Sequence, residues 1–558
     1  MANGRLAGAA QEPTRRGARL ARWLGDPATP LGCAVAFAAA GCLVSAWSRL
    51  NYDVAWLLTG ARRLLEGAAL YGADFVDVNP PLAVYLLTPA SALASASGIG
   101  EPAALRLQAA LFSLLALVAC MALLRRVYGE PGRQHSLWWL AGISFLAFIS
   151  PGLSLGTEAV AYGQREHWIL LLALPYLVVV ALRLQGGSIG LAWGWGAGVA
   201  LGLAVSMKPH YAALWLSVEA LRFALQRDLR GVLRSETLAV PCVGLLYLLL
   251  VWLTAPGYFT TALPLALNTY WAYQAPLLDL IGIVPIALLG LGLLAVRWVP
   301  AEDPARSLAM VFLAAALGAY AAYLLGGTTW TYHLLPFRGL ILLVLLAPVI
   351  ARLPLASTRP SAGGRLLHGA AAAGVVLVAL TFSPNDSGRI LRAAGDHGAS
   401  GLSAKLEETI RARGAGGPAV VLATSVPPGF PAVTHVGVDW TLRHSCLWAL
   451  PALLRARAGD PATPSRMDEG ETNALEDYLR RTLAEDFERR PPTLVFVFSP
   501  GWLQGIGRSD FDLLTFLRLD PRFAEIWEDY RPIGQIGPVR TYERAVGRQP
   551  LRTTLPGD

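Results

Sequence analysis

The chain has 558 residues, of which 54% are hydrophobic and only 15% are charged, and this composition excludes a soluble globular protein. It indicates a polytopic membrane protein. The net charge of +8 at pH 7 does not indicate a nucleic-acid partner, because most arginines lie between apolar runs, where they orient a membrane protein. Four of the five cysteines lie in apolar runs and Cys446 is alone in the polar tail, so neither a disulfide framework nor a thiolate metal site is expected.

The N-terminal segment, residues 1–30, carries five arginines ahead of an apolar run from Leu31 to Ser48. This order is typical of a signal anchor whose N-terminus stays in the cytoplasm. Because a spanning helix needs about 20 apolar residues, residues 31–382 are predicted to form a transmembrane domain of about eleven helices. Residues 50–102 then form the first external loop.

The first external loop opens with a segment of helical periodicity. Apolar residues recur at i, i+3, i+4 and i+7, which predicts a helix along the membrane surface: Val54, Leu57, Leu58, Ala61, Leu64 and Leu65. Arg62, Arg63 and Glu66 are expected on its opposite side, with Gly67 at its end. Asn79 is expected to cap a second helix, from Pro81 to about Ser97, that either rests in the membrane interface or spans it.

The remaining spans follow from their apolar runs, and the arginine clusters between them all fall on one side of the membrane. In chain order the spans cover about 103–124, 137–155, a run ending near 182, 191–207, a short run after Lys208, 237–254, runs ending near 297, 326 and 352, and 367–382. Four outer segments result: residues 157–167, 208–211, 255–276 and 326–333. The third is rich in Tyr and Trp, as expected at a membrane interface.

The tail, residues 383–558, changes to mixed charge with short apolar runs and is predicted to be a separate α/β domain on the outer side. Strands are expected at Ala419–Thr424 and Thr493–Phe498, and helices at Gly401–Arg413 and Met467–Glu485. Thr541–Glu543 is expected to be an edge strand.

The order of Asp53, an amphipathic helix, the run Asn79-Pro80-Pro81-Leu82 and a second helix resembles the first external loop of the GT-C glycosyltransferases. The most similar members are of the protein O-mannosyltransferase and lipid A aminoarabinose transferase types, which take a sugar from a polyprenyl phosphate. The resemblance implies the GT-C fold, an inverting transfer reaction and a catalytic aspartate at the end of the first span.

Asp53 is the first candidate site residue. From its position alone it would be interpreted as the N-cap of the helix that follows. In the family that the loop resembles, the aspartate at this position is catalytic. A carboxylate there can take the proton of an acceptor hydroxyl while the anomeric carbon becomes oxocarbenium-like. We therefore expect Asp53 to be the catalytic base.

Basic residues form the second group of candidates. Arg165, Lys208 and His333 are expected on the outer side, against the usual bias of basic residues to the cytoplasm. A donor phosphate accounts for them, because cations would neutralise it and stabilise charge on the leaving group. Lys208 is preferred, since the family also places a lysine there. Snorkelling at a helix end is the alternative for each, and it is the favoured one for Arg338.

Glu158 and Glu166 compete as the second acidic residue of the site. Glu166 is preferred as the catalytic one, because its cluster enters the following span directly. His167 is expected to bind sugar or acceptor rather than metal, since neither it nor His333 has a partner at metal-binding spacing.

Three further residues are expected to bind sugar or acceptor: Asp77, Asn79 and Tyr332. Turn and cap roles are the alternative for Asp74 and Asp77. Asn79 stands where the aminoarabinose enzymes have a lysine, which leaves the donor sugar open. No cofactor is expected beyond the lipid-linked donor, although the carboxylates leave a divalent metal open.

Together these features predict a multi-pass GT-C glycosyltransferase of the bacterial cytoplasmic membrane, with its active site and C-terminal domain outside. Its expected partners are a polyprenyl-phosphate sugar, an envelope lipid, glycan or protein acceptor, and membrane lipids. Two other classes stay open. A transporter or lipid flippase would carry ionisable residues near span centres or in symmetric halves, and an assembly factor acting through the tail would not need Asp53.

Overall fold

The computed structural model describes residues 26–153, 161–353, 401–459, 465–506 and 510–545. The chain has a helical part up to residue 353 and a small α/β part, here called the tail domain, from residue 401. The predicted span 367–382 lies outside the described residues, so the number of eleven spans stays a prediction.

The helical part consists of a series of α-helices. In chain order they are α1 Ala28–Trp47, α2 Tyr52–Leu65, α3 Leu82–Ser97, α4 Glu101–Tyr128, α5 Arg133–Ser144, α6 Ser150–Leu153, α7 Arg165–Leu184, α8 Leu191–Met207, α9 Ala212–Gln226, α10 Ser235–Thr254, α11 Leu263–Thr269, α12 Leu277–Leu280, α13 Ile283–Trp298, α14 Pro304–Gly326 and α15 Leu335–Ile350. Two π-helical segments interrupt the series, Phe145–Ile149 and Tyr258–Ala262.

The apolar helices agree with a protein that crosses a membrane many times. Within the described residues, six helical stretches are long and apolar enough to span by length and composition: Ala28–Trp47, Glu101–Tyr128, Arg165–Leu184, Ser235–Thr254, Pro304–Gly326 and Thr331–Ile350. Three apolar helices are shorter, namely α3, α8 and α13. Helix α8 has the bounds expected from its apolar run, because Gly190 begins it and Pro209 ends it.

Helix α2 confirms the amphipathic helix of the first loop, excludes the alternative role considered for Asp53, and corrects the exposed position expected of Arg63. Asn51 is the N-cap, with its side-chain oxygen accepting from the backbone N–H of Asp53 at 2.9 Å, so the capping alternative for Asp53 is excluded. The helix also does not lie exposed on a surface. Arg63, expected on the polar side, is only 1% exposed, because the tail domain covers this face.

The second helix of the loop, α3, begins at Leu82, two residues later than a helix capped by Asn79 would begin. Its N-cap is Pro81, without a side-chain hydrogen bond, so the capping role predicted for Asn79 was wrong. Asn79 is held in a turn instead. Its backbone N–H and its side-chain amide both donate to Asp77 Oδ1, at 2.8 and 2.9 Å.

The tail domain contains a four-stranded sheet in the order β1-β2-β4-β3, with helices against it. Its strands are β1 Ala419–Leu422, β2 Leu494–Phe498, β3 Tyr530–Ile536 and β4 Val539–Arg544; β1 pairs with β2 in parallel and the other pairs are antiparallel. Its helices are α16 Leu402–Arg413, α17 Gly429–Val436, α18 Leu450–Ala458, α19 Glu469–Arg489, α20 Leu513–Leu517 and α21 Pro521–Trp527.

The expected strands and helices of the tail domain are confirmed, with one correction. Thr541 does not lie on an edge strand, because β4 pairs with β2 on one side and with β3 on the other. The edge strand next to β4 is β3, which is mostly exposed and has a register shift between Pro532 and Gly534. A strand of this kind lacks the apolar alternation by which strands are recognised in a sequence.

The tail domain packs directly on the first external loop. Trp56 of α2 lies edge-on against Phe430 of α17, with ring centroids 5.4 Å apart. The tail segment 440–449 is buried throughout its length. The two parts of the chain therefore share one apolar core around α2.

Candidate active site

The site is built around the first turn of α7. Gly163, in the left-handed region with φ of +81°, turns the chain sharply before Gln164, which is the N-cap of the helix. Arg165 and Glu166 follow on the first turn, where Arg165 is 7% exposed and Glu166 is fully buried. Charged residues are almost never buried in this way unless they are paired.

Glu166 is paired with a cation from another helix end. Lys208 follows α8, is 5% exposed, and donates from Nζ to Glu166 Oε1. His333 completes the group, with Nε2 at 3.2 Å from Lys208 Nζ and 3.5 Å from Glu166 Oε1. A charged Lys208 donates to Nε2, which places the ring proton of a neutral His333 on Nδ1, beside the hydroxyl of Thr328 at 3.4 Å.

Asp53 lies on the other side of Arg165. Its Oδ2 is 3.6 Å from Arg165 Nη2 and 3.4 Å from the donating Nε2 of Gln164, and the side chain is 16% exposed. Burial raises the pKa of the Asp53 carboxyl above its ordinary value, and the positive charges of Arg165 and Lys208 offset only part of this rise. A carboxylate with a raised pKa is a stronger base than an ordinary aspartate.

Several polar atoms at this first turn are buried without a hydrogen-bond partner among the described residues. They are Nε and Nη1 of Arg165, Oε1 of Gln164 and Oε2 of Glu166. An unpartnered buried donor or acceptor costs about 1–3 kcal/mol, and more if it is charged. The arginine donors suit an anionic ligand, because a guanidinium offers its N–H groups as a fork that matches phosphate or carboxylate.

The remaining candidates of the first loop lie beside this cluster. Asp77 accepts from Trp56 Nε1 at 2.9 Å as well as from Asn79, and its negative charge contributes to the raised pKa of Asp53. The turn expected as the alternative role of Asp77 is therefore present. Asp74 pairs instead with Arg489 of the tail domain at 2.9 Å, which makes it an interdomain contact.

His167 and Tyr332 differ in what they present to the site. Both ring nitrogens of His167 are engaged with backbone: Gly163 N–H donates to Nδ1 at 3.2 Å, and Nε2 lies 2.9 Å from the Ala147 carbonyl. In this fully buried ring both nitrogens already have backbone partners, so these contacts do not support the binding role of His167, which stays a prediction. Tyr332 remains a candidate, since its ring lies 5.5 Å from Lys208 Nζ. Glu158 lies outside the described residues.

A cluster of aromatic residues beside His333, three of them half-buried and one buried, was not singled out from the sequence. The ring of Tyr270 contacts those of Trp330 and Trp448, and the ring of Tyr273 contacts that of Trp330, with centroids between 5.8 and 6.4 Å apart. The hydroxyl of Tyr273 also donates to the carbonyl oxygen of Trp448 at 2.7 Å. The sequence signal was the Tyr- and Trp-rich segment 255–276, which we attributed to the membrane interface. Trp448 had no signal, because it comes from the tail domain.

No group of three or more His, Cys, Asp or Glu side chains in the described part of the chain is arranged to hold a metal ion. The carboxylates of Asp53 and Glu166 face cations rather than one another. What the arrangement can do is bind an anion at Arg165 next to the carboxylate of Asp53, whose pKa is raised by burial.

Comparison with known proteins gives a structural likeness and no sequence match. No protein-family profile and no curated protein matches the chain. The crystal structure of ArnT from Cupriavidus metallidurans, bound to undecaprenyl phosphate, superposes with a TM-score of 0.53 at 14% identity, over 93% of this chain and 99% of that one. Mycobacterial arabinofuranosyltransferase AftD (TM-score 0.43, 15% identity, 94% and 40%) and the archaeal oligosaccharyltransferase AglB from Archaeoglobus fulgidus (0.39, 13%, 93% and 75%) are weaker likenesses.

The likeness to ArnT covers nearly the whole of both chains and shows that this protein has the GT-C membrane fold. The fold class predicted from the first external loop is thereby confirmed. Within that class, the ArnT structure was solved with a polyprenyl phosphate bound.

Proposed function

We propose that the protein is a membrane glycosyltransferase that transfers a sugar from a polyprenyl-phosphate donor to a hydroxyl of a lipid, glycan or protein acceptor. The observation that carries this proposal is the buried Arg165 guanidinium, which lies 3.6 Å from Asp53 with two donors unpartnered in the described structure. A phosphate at Arg165 would place the sugar beside Asp53. The undecaprenyl phosphate bound to ArnT, a protein of the same fold, supports a donor of this class.

The proposed reaction is a single displacement. The oxygen of the acceptor hydroxyl forms a bond to the anomeric carbon while Asp53 takes the proton of that hydroxyl. At the same time the bond from the anomeric carbon to the phosphate oxygen breaks. Attack opposite the leaving group inverts the anomeric configuration. Polyprenyl phosphate leaves as an anion, and Arg165 stabilises the charge that develops on it.

Lys208 acts differently from Arg165 in this proposal. Its charge is already matched by Glu166, and a second N–H is directed to His333 Nε2 at 3.2 Å, so Lys208 orders the site and keeps one of its three N–H groups for the donor phosphate. Glu166 Oε2, which has no partner among the described atoms, is left for a sugar hydroxyl. Asp77, Asn79 and Tyr332 would then contact the sugar or the acceptor, and His333 would orient Lys208.

The ionisable residues of the site gather at helix ends, which favours an enzyme over a transporter. Arg165 begins α7, Lys208 follows α8, and His333 precedes α15. A transporter of the kind considered above would need such groups near span centres. We place the site at the outer face of a bacterial cytoplasmic membrane because of the arginine clusters on the opposite side of the predicted topology.

The test is turnover of lipid-linked sugars by the purified protein. It would be incubated with a panel of polyprenyl-phosphate sugars, and release of free polyprenyl phosphate measured with and without candidate acceptors. We expect release from at least one donor, and a loss of about a hundredfold or more in Asp53→Asn, because general-base catalysis contributes about 10²–10⁴. Asp279→Asn, at an exposed aspartate of α12, is the matched control.

Two results would oppose the proposal. Folded Asp53→Asn protein that releases polyprenyl phosphate at the wild-type rate would remove Asp53 from the reaction. Donor that crosses the bilayer of a proteoliposome intact, with no release of polyprenyl phosphate from any sugar of the panel, would indicate a flippase instead.

A further inference from the structure

The tail domain holds the segment that leads into α2. Arg49, four positions before Asp53 in the sequence, donates from Nη2 to Glu407 Oε1 of α16. The backbone N–H of Leu50 donates to His435 Nε2 at 3.3 Å, and His435 Nδ1 lies 3.1 Å from the same Glu407 oxygen. The side chains of Arg49 and Glu407 are 15% and 9% exposed, so this ion pair is largely shielded from water.

The tail domain also holds the far end of α2. The guanidinium of Arg63 donates to the carbonyl oxygens of Trp440 and Leu442 in the tail segment 440–449, and to that of Asp74 in the first loop. Between the two ends, Trp56 packs on Phe430. Helix α2 is therefore fixed at its entry, its middle and its exit by residues of the other domain.

Asp53 itself has few direct contacts that could fix its carboxylate. Its nearest cation is at 3.6 Å, beyond hydrogen-bond distance, and Gln164 Nε2 is at 3.4 Å. The position of its carboxylate relative to Arg165 therefore depends on where the backbone of α2 lies. Misplacing a catalytic group by about 1 Å can cost about 10²-fold in rate.

We infer that the tail domain is a brace that positions Asp53, with Arg49, Glu407 and Arg63 as positioning residues. The contacts at Arg49 and Leu50 fix the start of α2, and those of Arg63 fix its rotation and its end. This inference uses the proposed function only for its turnover readout, since the placement of α2 can be measured in the absence of any donor.

The test is a charge exchange across the interdomain ion pair. Arg49→Glu and Glu407→Arg each place like charges together, whereas the double variant restores an opposite pair. We expect each single variant to lower kcat by roughly tenfold or more with little change in the donor KM, and the double variant to recover most of it. Arg411→Glu is the matched control, because Arg411 pairs with the same Glu407 from its own helix α16 but is largely exposed.

Hydrogen exchange of residues 50–65 tests whether the tail domain positions α2, and it does so independently of the proposed reaction. We expect faster exchange there in both single variants, and recovery in the double variant, while α8 and α14 stay unchanged. If the wild-type protein releases no polyprenyl phosphate, the proposed function fails and this exchange pattern still tests the brace. Should a single variant not fold, Arg63→Lys serves in its place, since an ammonium cannot serve three carbonyls with the same geometry.

The inference that the tail domain positions Asp53 would be contradicted by single variants that keep both the wild-type hydrogen exchange of residues 50–65 and the wild-type kcat. It would equally be overturned if the double variant recovered neither, or if turnover fell only in proportion to the fraction of folded protein.

Discussion

The two ends of α7 use arginine in different ways, and the difference separates a structural ion pair from a binding site. Near its C-terminus, Arg183 donates from Nε and Nη2 to the two carboxylate oxygens of Glu236, at 2.8 and 3.3 Å. At its N-terminus, Arg165 approaches Asp53 at only 3.6 Å and keeps two buried donors unpartnered in the described structure. A satisfied fork stabilises a fold, whereas an unsatisfied one is costly unless a ligand completes it.

The strongest way to break this comparison is to remove each arginine in turn. Arg165→Met should lower turnover by about 10²–10³, the usual cost of removing one donor to developing charge. Arg183→Met should leave kcat unchanged but lower the unfolding temperature, because it strands Glu236, which is 1% exposed. Steady-state kinetics and thermal unfolding in detergent would check both. Equal effects of the two variants on kcat would contradict the distinction.

Lys208 tests whether a paired cation of the site behaves like Arg183 or like Arg165. Lys208→Met leaves the fully buried Glu166 unpaired, so we expect a loss of about 3–5 kcal/mol in stability. Adding Glu166→Gln should restore most of that stability and little of the turnover. Chemical denaturation and donor turnover of the single and double variants are the measurements. A stable Lys208→Met protein would show that the pair contributes nothing to the fold.

His167 distinguishes a residue that positions the first turn of α7 from one that binds sugar. Because its ring bridges the Gly163 turn and the π-helical carbonyl of Ala147, His167→Asn should cost about 1–3 kcal/mol by leaving a buried group unpartnered. We expect kcat to fall for every donor sugar by the same factor. A changed preference among the sugars would instead support a direct contact with the donor.

The smallest expected effect is on the pH dependence of the reaction. Asp53 must be deprotonated to act as a base, so kcat/KM should fall as the pH drops through its pKa, and this pKa is raised by burial. The acidic limb should therefore lie above the ordinary aspartate value of about 3.9. Since the charge of Asp77 adds to the rise, Asp77→Asn should move the limb to lower pH. A limb that moves to higher pH would contradict this assignment.

Local features of the structure could be predicted well. The positions of the apolar helices could be predicted because a membrane-spanning helix is recognised by the length and composition of one segment alone. Helix α8, for example, has its predicted bounds. The strands of the tail domain core followed from short apolar runs. Errors fell where two polar side chains compete for one local role, as with Asn51 and Asp53 at a helix start, or Asn79 and Asp77 in a turn.

The sequence could predict which residues form the candidate site, but not which of them pair with one another. Membrane topology alone put Asp53, Arg165, Glu166, Lys208 and His333 at one face, and the structure brings them together. It could not tell which carboxylate would pair with Lys208. Nor could it show that Arg63 is buried, because the carbonyls that bind it come from residues almost 380 positions later in the chain.

The sequence by itself determined that this protein has the apolar helices of a membrane protein and where most of its helices lie, and it predicted which basic residues lie on the outer side. These properties depend on local composition and periodicity, which any segment carries with it. Only the tertiary structure decided which charges are matched, which donors are left over, and that the tail domain holds the Asp53 helix. These properties depend on contacts between distant segments, and no local pattern encodes the partner of a side chain.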